Sequence, residues 1–163
     1  MFKKILVPLD GSKRAEKILP HVEDLAHRYS KSQVVLLQVV EPIPVSVNLG
    51  DYVPPLEKKE IDGEFKVARA YLERLRARLL RKGILSRMHV LLGPVVPTIV
   101  DLAAREKVDL LALTSHGRSG LSAFFYGSVA AGVLHRIDRP LLIIRSVQPR
   151  VNARAARAGK KSA

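Results

Sequence analysis

A chain of 163 residues, 47% of them hydrophobic, has the length of one domain and enough apolar surface for a core. It holds no cysteine, which excludes disulfides, thiolate metal sites and cysteine nucleophiles. The formal charge of +13 is uneven: Arg150, Arg154, Arg157, Lys160 and Lys161 follow Val147 with no acid among them, which leaves +8 on the rest. Such a tail lacks the apolar surface to fold alone and is expected to be disordered. It would hold nucleic acid or an anionic surface through charge only; no aromatic residue interleaves with its cations, and a solvated end is the expected reading. No run approaches the roughly 20 apolar residues that span a bilayer. Met1-Phe2-Lys3-Lys4 leads into too short an apolar run for a signal peptide, so a cytoplasmic protein without a membrane partner is expected.

Taken in order, Lys3 to Pro8 reads as a first strand, its run Ile5-Leu6-Val7 suiting the centre of a parallel sheet. Leu9-Asp10-Gly11-Ser12 forms a turn, with Ser12 as the N-cap of a helix running to Tyr29. Ile18, Val22, Leu25 and Ala26 mark the apolar stripe of that helix, and Pro20 should bend it. His21 and His27 are six apart, on different faces, which is not metal-ligand spacing; both are expected at the surface. Gln33 to Val40 is a second, almost unbroken apolar strand. Glu41 to Glu60 reads as irregular because of Pro42, Pro44, Gly50, Pro54 and Pro55, and a loop of that length suits a lid or a disordered segment.

A second helix is expected over Ile61–Lys82, with Phe65, Ala68, Leu72, Leu75 and Leu79 on its apolar face. Arg69, Arg74, Arg76, Arg78, Arg81 and Lys82 make much of the remainder basic, as suits a solvated outer helix, and Gly83 stops it. Ile84 to Leu92 gives a third strand, whose Ser86, Arg87 and His89 point to an edge. A third helix over Pro97–Lys107 follows the turn Gly93-Pro94. Asp109 to Leu113 is a fourth strand, then comes a glycine-rich loop from Thr114, and Val129 to Arg136 reads as a helix. Leu141 to Ile144 forms a fifth strand after Arg139-Pro140. His116 and His135 have no carboxylate partner nearby in sequence and are not taken as bases.

Strands alternating with helices predict an α/β fold: a doubly wound parallel sheet with right-handed crossovers and helices on both faces, Rossmann-like. The first and fourth strands both end in polar, turn-rich loops and so flank the topological switch point, where such sheets bind ligands. Asp10 at the end of the first strand either accepts a ribose hydroxyl or holds a phosphate-bridging divalent ion, or else caps its own turn. A strand feeding a glycine loop that opens a helix leaves backbone N–H groups at a positive dipole end, which suits phosphate. Gly117 and Gly120 permit tight backbone, Gly127 sits where an anion would touch the main chain, and Arg118 adds charge. Ser128 can cap the helix or turn its hydroxyl to a phosphate oxygen. The plain alternative is an ordinary loop with glycines for turns.

These residues resemble the universal stress protein family, whose nucleotide signature is Gly, two residues, Gly, nine residues, Gly, then Ser or Thr. Here Gly117 is the second glycine, Arg118 to Tyr126 are the nine residues, and Gly127-Ser128 close the motif. Thr114 stands at the first glycine, a β-branched residue where ATP-binding members place bare backbone. The resemblance spans residues 2–146, which sets a domain over 1–146 and a tail over 147–163, and implies the strand order 3-2-1-4-5. It implies an ATP site lined by Pro8, Leu9, Asp10, Val39, Leu113, Thr114, Gly117, Arg118, Gly127, Ser128 and Val129, with Mg2+ or Mn2+ at Asp10. Val39 would face adenine, although a core valine reads the same. It further implies a regulatory stress-response module acting through partners, and a homodimer through the fifth strand. Thr114 keeps a second reading open, a nucleotide-free interaction protein. The loop has no Gly-Lys-Ser/Thr and no nucleophile–base pair, so at most slow ATP hydrolysis is expected and no catalytic residue is assigned.

Overall fold

The computed structural model describes residues 2–29, 32–42, 58–115 and 127–146. Its five strands are β1 (Lys4–Leu9), β2 (Gln33–Val40), β3 (Leu85–Leu92), β4 (Leu110–Ser115) and β5 (Leu141–Arg145). They form one sheet in the order β3-β2-β1-β4-β5, with every pair parallel. The helices are α1 (Leu19–Arg28), α2 (Lys58–Arg81), α3 (Val95–Arg105) and α4 (Ser128–Leu134), with a 3-10 turn at Ala15–Ile18 before α1. The expected strand order is therefore the observed one.

Strand alternation divides the core in two. Ile5, Val7 and Leu9 of β1 join Val34 and Leu36 of β2 against Val22 of α1 and Leu72, Leu75 and Leu79 of α2. Leu6, Val35 and Leu37 point the other way, onto Ile99, Leu102 and Ala103 of α3 and Ala130 and Val133 of α4. Burial on both faces is why these strands read as continuous apolar runs instead of alternating ones. At the amino ends, Asp109 joins β1 to β4: its Oδ2 accepts the N–H groups of Lys3 (2.9 Å) and Lys4 (2.8 Å). Its own N–H donates to the Lys4 carbonyl at 2.9 Å.

Several boundaries differ from the sequence reading. The first helix is split: residues 15–18 wind as a 3-10 turn and α1 begins at Leu19. Pro20 thus falls in the first turn, where its missing N–H has no intrahelical acceptor to lose, and no bend is required. Lys58–Glu60 belong to α2, so the irregular segment is shorter than 41–60; residues 43–57 lie outside the described residues. Gly83 stops α2 as expected, with a φ of +74°. The third helix begins at Val95, two residues before the expected start, with Pro94 as its extended N-cap, and ends at Arg105. The largest difference concerns β4. Thr114 and Ser115 are strand residues, paired with Ile144 and Arg145 of β5, and not the start of a loop. The tail from 147 onward lies outside the described residues.

Candidate functional site

At the carboxyl ends of β1, β2 and β4, where the chain order reverses, the structure encloses a cavity of about 400 Å³. The end of β1 supplies Pro8, Leu9 and Asp10; the end of β2 supplies Leu37, Val39 and Glu41; the end of β4 supplies Leu113 and Thr114. Gly127, Ser128, Val129 and Ala130 close it from the start of α4, with Val95 and Ile99 from α3 and Ala15 from the 3-10 turn. Each of these elements delivers its residues at the end facing the crevice, the position that suits a ligand in an open parallel sheet.

Of the eleven residues singled out from sequence, nine meet in this one cavity: Pro8, Leu9, Asp10, Val39, Leu113, Thr114, Gly127, Ser128 and Val129. Gly117 and Arg118 lie outside the described residues. The sequence reading missed Ala15, Leu37, Glu41, Val95, Ile99 and Ala130. A signal for Leu37 existed, since it precedes Val39 by two residues and so shares its strand face. Glu41 directly follows β2 and could have been found the same way. For Val95, Ile99 and Ala130 no local signal exists, because a helix stripe facing a cavity looks like one facing a core.

The entrance to the 3-10 turn is tightly specified. Asp10 Oδ1 accepts the Ser12 N–H at 2.9 Å, and Ser12 Oγ accepts the Ala15 N–H at 3.1 Å. Gly11 between them has a φ of +81°, a conformation that disfavours a side chain. The turn-capping role of Asp10 is therefore real, and it leaves an exposed carboxylate at the cavity. With Glu41 it makes a mouth carrying two acids, and no cation is among the described lining residues. On the α1 and α2 side of the sheet, the Tyr71 phenol is pushed far above its ordinary range, chiefly by burial and then by the Glu16 and Asp10 carboxylates. It is un-ionised at neutral pH.

Gly127 is the N-cap of α4, with φ −52° and ψ 153°. Any residue adopts those angles, so the backbone conformation does not require glycine there. Ser128 is the first helical residue and forms no cap, because Gly127 holds that place; Ala131 N–H donates to the Gly127 carbonyl at 2.9 Å. The N–H groups before Ala131 have no intrahelical acceptor and lie at the cavity wall. Thr114 is 9% exposed and sits at the end of β4, beside the cavity.

Among the described residues there is no group of three or more His, Cys, Asp or Glu able to hold a metal ion. His21 is exposed as expected. His27 is exposed too, yet its ring ties α1 to the end of α2: Nδ1 lies 2.8 Å from the Glu23 carbonyl and Nε2 3.2 Å from that of Lys82. No described helix is long and apolar enough to cross a membrane.

Comparison with known proteins agrees with this geometry. The model of the universal stress protein family matches residues 1–145. Universal stress protein MJ0577 of Methanocaldococcus jannaschii is 31% identical over 159 residues, covering 89% of this chain and 96% of that protein. The solved structure of MJ0577 superposes with a TM-score of 0.68 at 27% identity, over 91% of this chain and 99% of that one. Two further structures share the fold. A universal stress protein in complex with cAMP has a TM-score of 0.65 at 20% identity, over 90% of this chain and 98% of that one. The universal stress protein of Archaeoglobus fulgidus in complex with dAMP has a TM-score of 0.62 at 19% identity, over 86% and 96%. With a matched model running from the first residue to the end of β5, the chain belongs to the universal stress protein family.

Proposed function

We propose that this protein is a nucleotide-binding regulatory module that takes ATP in the cavity at the ends of β1, β2 and β4 and acts through partners. One observation carries the reading: residues from four separated stretches, 8–10, 39, 113–114 and 127–129, converge on a single cavity at the switch point. Its volume lies within the few hundred to about 1,000 Å³ usual for small-molecule sites. Apolar walls from Pro8, Val39, Leu113 and Val129 suit a base, and the start of α4 at Gly127 suits phosphate. That two proteins of this fold were solved with cAMP and dAMP adds support for an adenine nucleotide.

The residues fit a divalent ion only in part. Asp10 and Glu41 bring two carboxylates, so Mg2+ or Mn2+ at Asp10 would complete its shell with phosphate oxygens and water. When bound, the ion would neutralise phosphate charge next to those acids. The edge strand β5, with Leu141 to Ile144 half-buried, is the surface through which a homodimer would form.

Calorimetric titration of the full chain with ATP and with AMP, each with and without Mg2+, tests the reading. Saturable binding in the micromolar range, or nucleotide carried through purification and seen by native mass spectrometry, is the expected result. An absence of binding to both ligands overturns it and leaves the interaction-protein reading that Thr114 favours.

A further inference from the structure

The side chain at position 114 is where this chain departs from the family signature, and its surroundings give the departure a chemical meaning. Thr114 is 9% exposed and lines the cavity, which puts its hydroxyl within reach of a ligand held there. A ligand that covers this hydroxyl without bonding it would incur a desolvation cost of roughly 1–3 kcal/mol, whereas one that hydrogen-bonds it would not. Strand parity sets its direction. Leu110 and Ala112 pack with the α1 and α2 side of the core, Leu111 and Leu113 with the other side. Thr114 shares the face of Leu110 and Ala112, and so meets the cavity from the side of Leu9 and Ala15, next to the Asp10 turn.

The charge of the lining says what kind of ligand atom belongs there. Asp10 and Glu41 are the charged residues among the described lining, and both are acids. A phosphate held beside them without a metal ion would be repelled, whereas an uncharged sugar hydroxyl needs no counter-ion and can both donate and accept. Resting on the nucleotide reading above, we propose that the Thr114 hydroxyl hydrogen-bonds a ribose hydroxyl, making this position a discriminator between ribo- and deoxyribonucleotides. A glycine at position 114 would offer no side-chain partner for the sugar. On this account the threonine is not a plug that abolishes binding. It replaces backbone room with a polar contact, at a strand end where a β-branched residue is at home.

The experiment titrates AMP, 2′-deoxy-AMP and 3′-deoxy-AMP into the wild-type chain and into Thr114→Val and Thr114→Ser, with circular dichroism confirming the fold of each. Wild type is expected to bind AMP about tenfold more tightly than one of the two deoxy forms. Thr114→Val, which keeps the shape without the hydroxyl, should lose that preference by weakening AMP alone; Thr114→Ser should keep it. Equal wild-type affinity for all three ligands overturns the proposal without requiring any variant. A preference that survives in Thr114→Val also overturns it, and leaves the nucleotide reading standing. A wild-type chain that binds none of the three overturns the proposal, and one that also fails to bind ATP overturns the nucleotide reading with it.

Discussion

The Asp10 carboxylate accepts the Ser12 N–H at 2.9 Å, so a residue at the mouth of the cavity also holds the turn that leads into α1. The two roles can be separated. Asp10→Asn keeps a side-chain oxygen that can accept the same N–H, and stability should change by no more than about 0.5 kcal/mol. If the charge serves the ligand, ATP affinity should fall about tenfold and its enhancement by Mg2+ should vanish. Calorimetry with and without the metal reads both effects. An Asp10→Asn chain that binds ATP as wild type does would reduce Asp10 to a turn cap.

Two helix glycines should respond to alanine in opposite directions. A Cβ at Gly63, within α2, would have nothing within 4 Å, so Gly63→Ala should stabilise by about 0.5–1 kcal/mol through helix propensity alone. A Cβ at Gly132, in α4, would lie 2.9 Å from Val96 Cγ2. Valine is stiff at χ1 and cannot swing clear cheaply, so α4 would be pushed off α3. Gly132→Ala should lose about 1 kcal/mol despite the propensity gain. Denaturant midpoints measured side by side settle the pair, and two shifts of the same sign would contradict this packing.

Much of the fold was legible because β1, β2 and β4 are buried on both faces, and their unbroken apolar runs state that in the sequence. The end of β4 was less legible. Thr114 and Ser115 look like loop residues locally, and only their pairing with Ile144 and Arg145, some 30 positions on, makes them strand. The 3-10 turn was hidden for a similar reason, since Ile18 and Val22 keep helical spacing whichever way residues 15–18 wind. In the candidate site, Asp10 and Gly127 declare themselves as polar or bare positions at element ends. Val95 and Ile99 do not, because facing a cavity changes nothing in an apolar stripe.

Acid should expose a further contact. Lys4 Nζ lies 3.0 Å from Glu106 Oε2, and this hydrogen bond, aided by the charges of Lys4, His89 and Arg87, holds the Glu106 carboxyl below its ordinary range. A depressed carboxyl contributes stability that is present above the ordinary value of 4.5 and is lost as pH falls through the folded value. The side chains of Lys4 and Glu106 retain 27% and 19% exposure, so the contribution should be about 0.5 kcal/mol. Glu106→Gln should flatten the acid limb of the melting curve and leave little difference in slope near neutrality. Melting temperatures across pH 3 to 7 for both chains give the comparison, and parallel acid limbs would show that Glu106 is not the group responsible.

Gly127 offers a sharper test of the phosphate end, because capping and ligand approach pull in different directions there. The residue is the N-cap of α4 with a φ of −52°, so nothing in the backbone requires glycine. Serine is at least as good an N-cap, and Gly127→Ser should leave the melting temperature unchanged or slightly raised. If glycine is present so that a phosphate can touch the main chain, the added side chain should weaken ATP binding about tenfold, and valine should weaken it about a hundredfold. Valine is also a poor cap, and Gly127→Val should cost about 1 kcal/mol, small against the stability of a domain of this size. Loss of affinity in the serine variant cannot then be attributed to unfolding. Retained affinity in both variants would move the phosphates away from α4 and undo that part of the assignment.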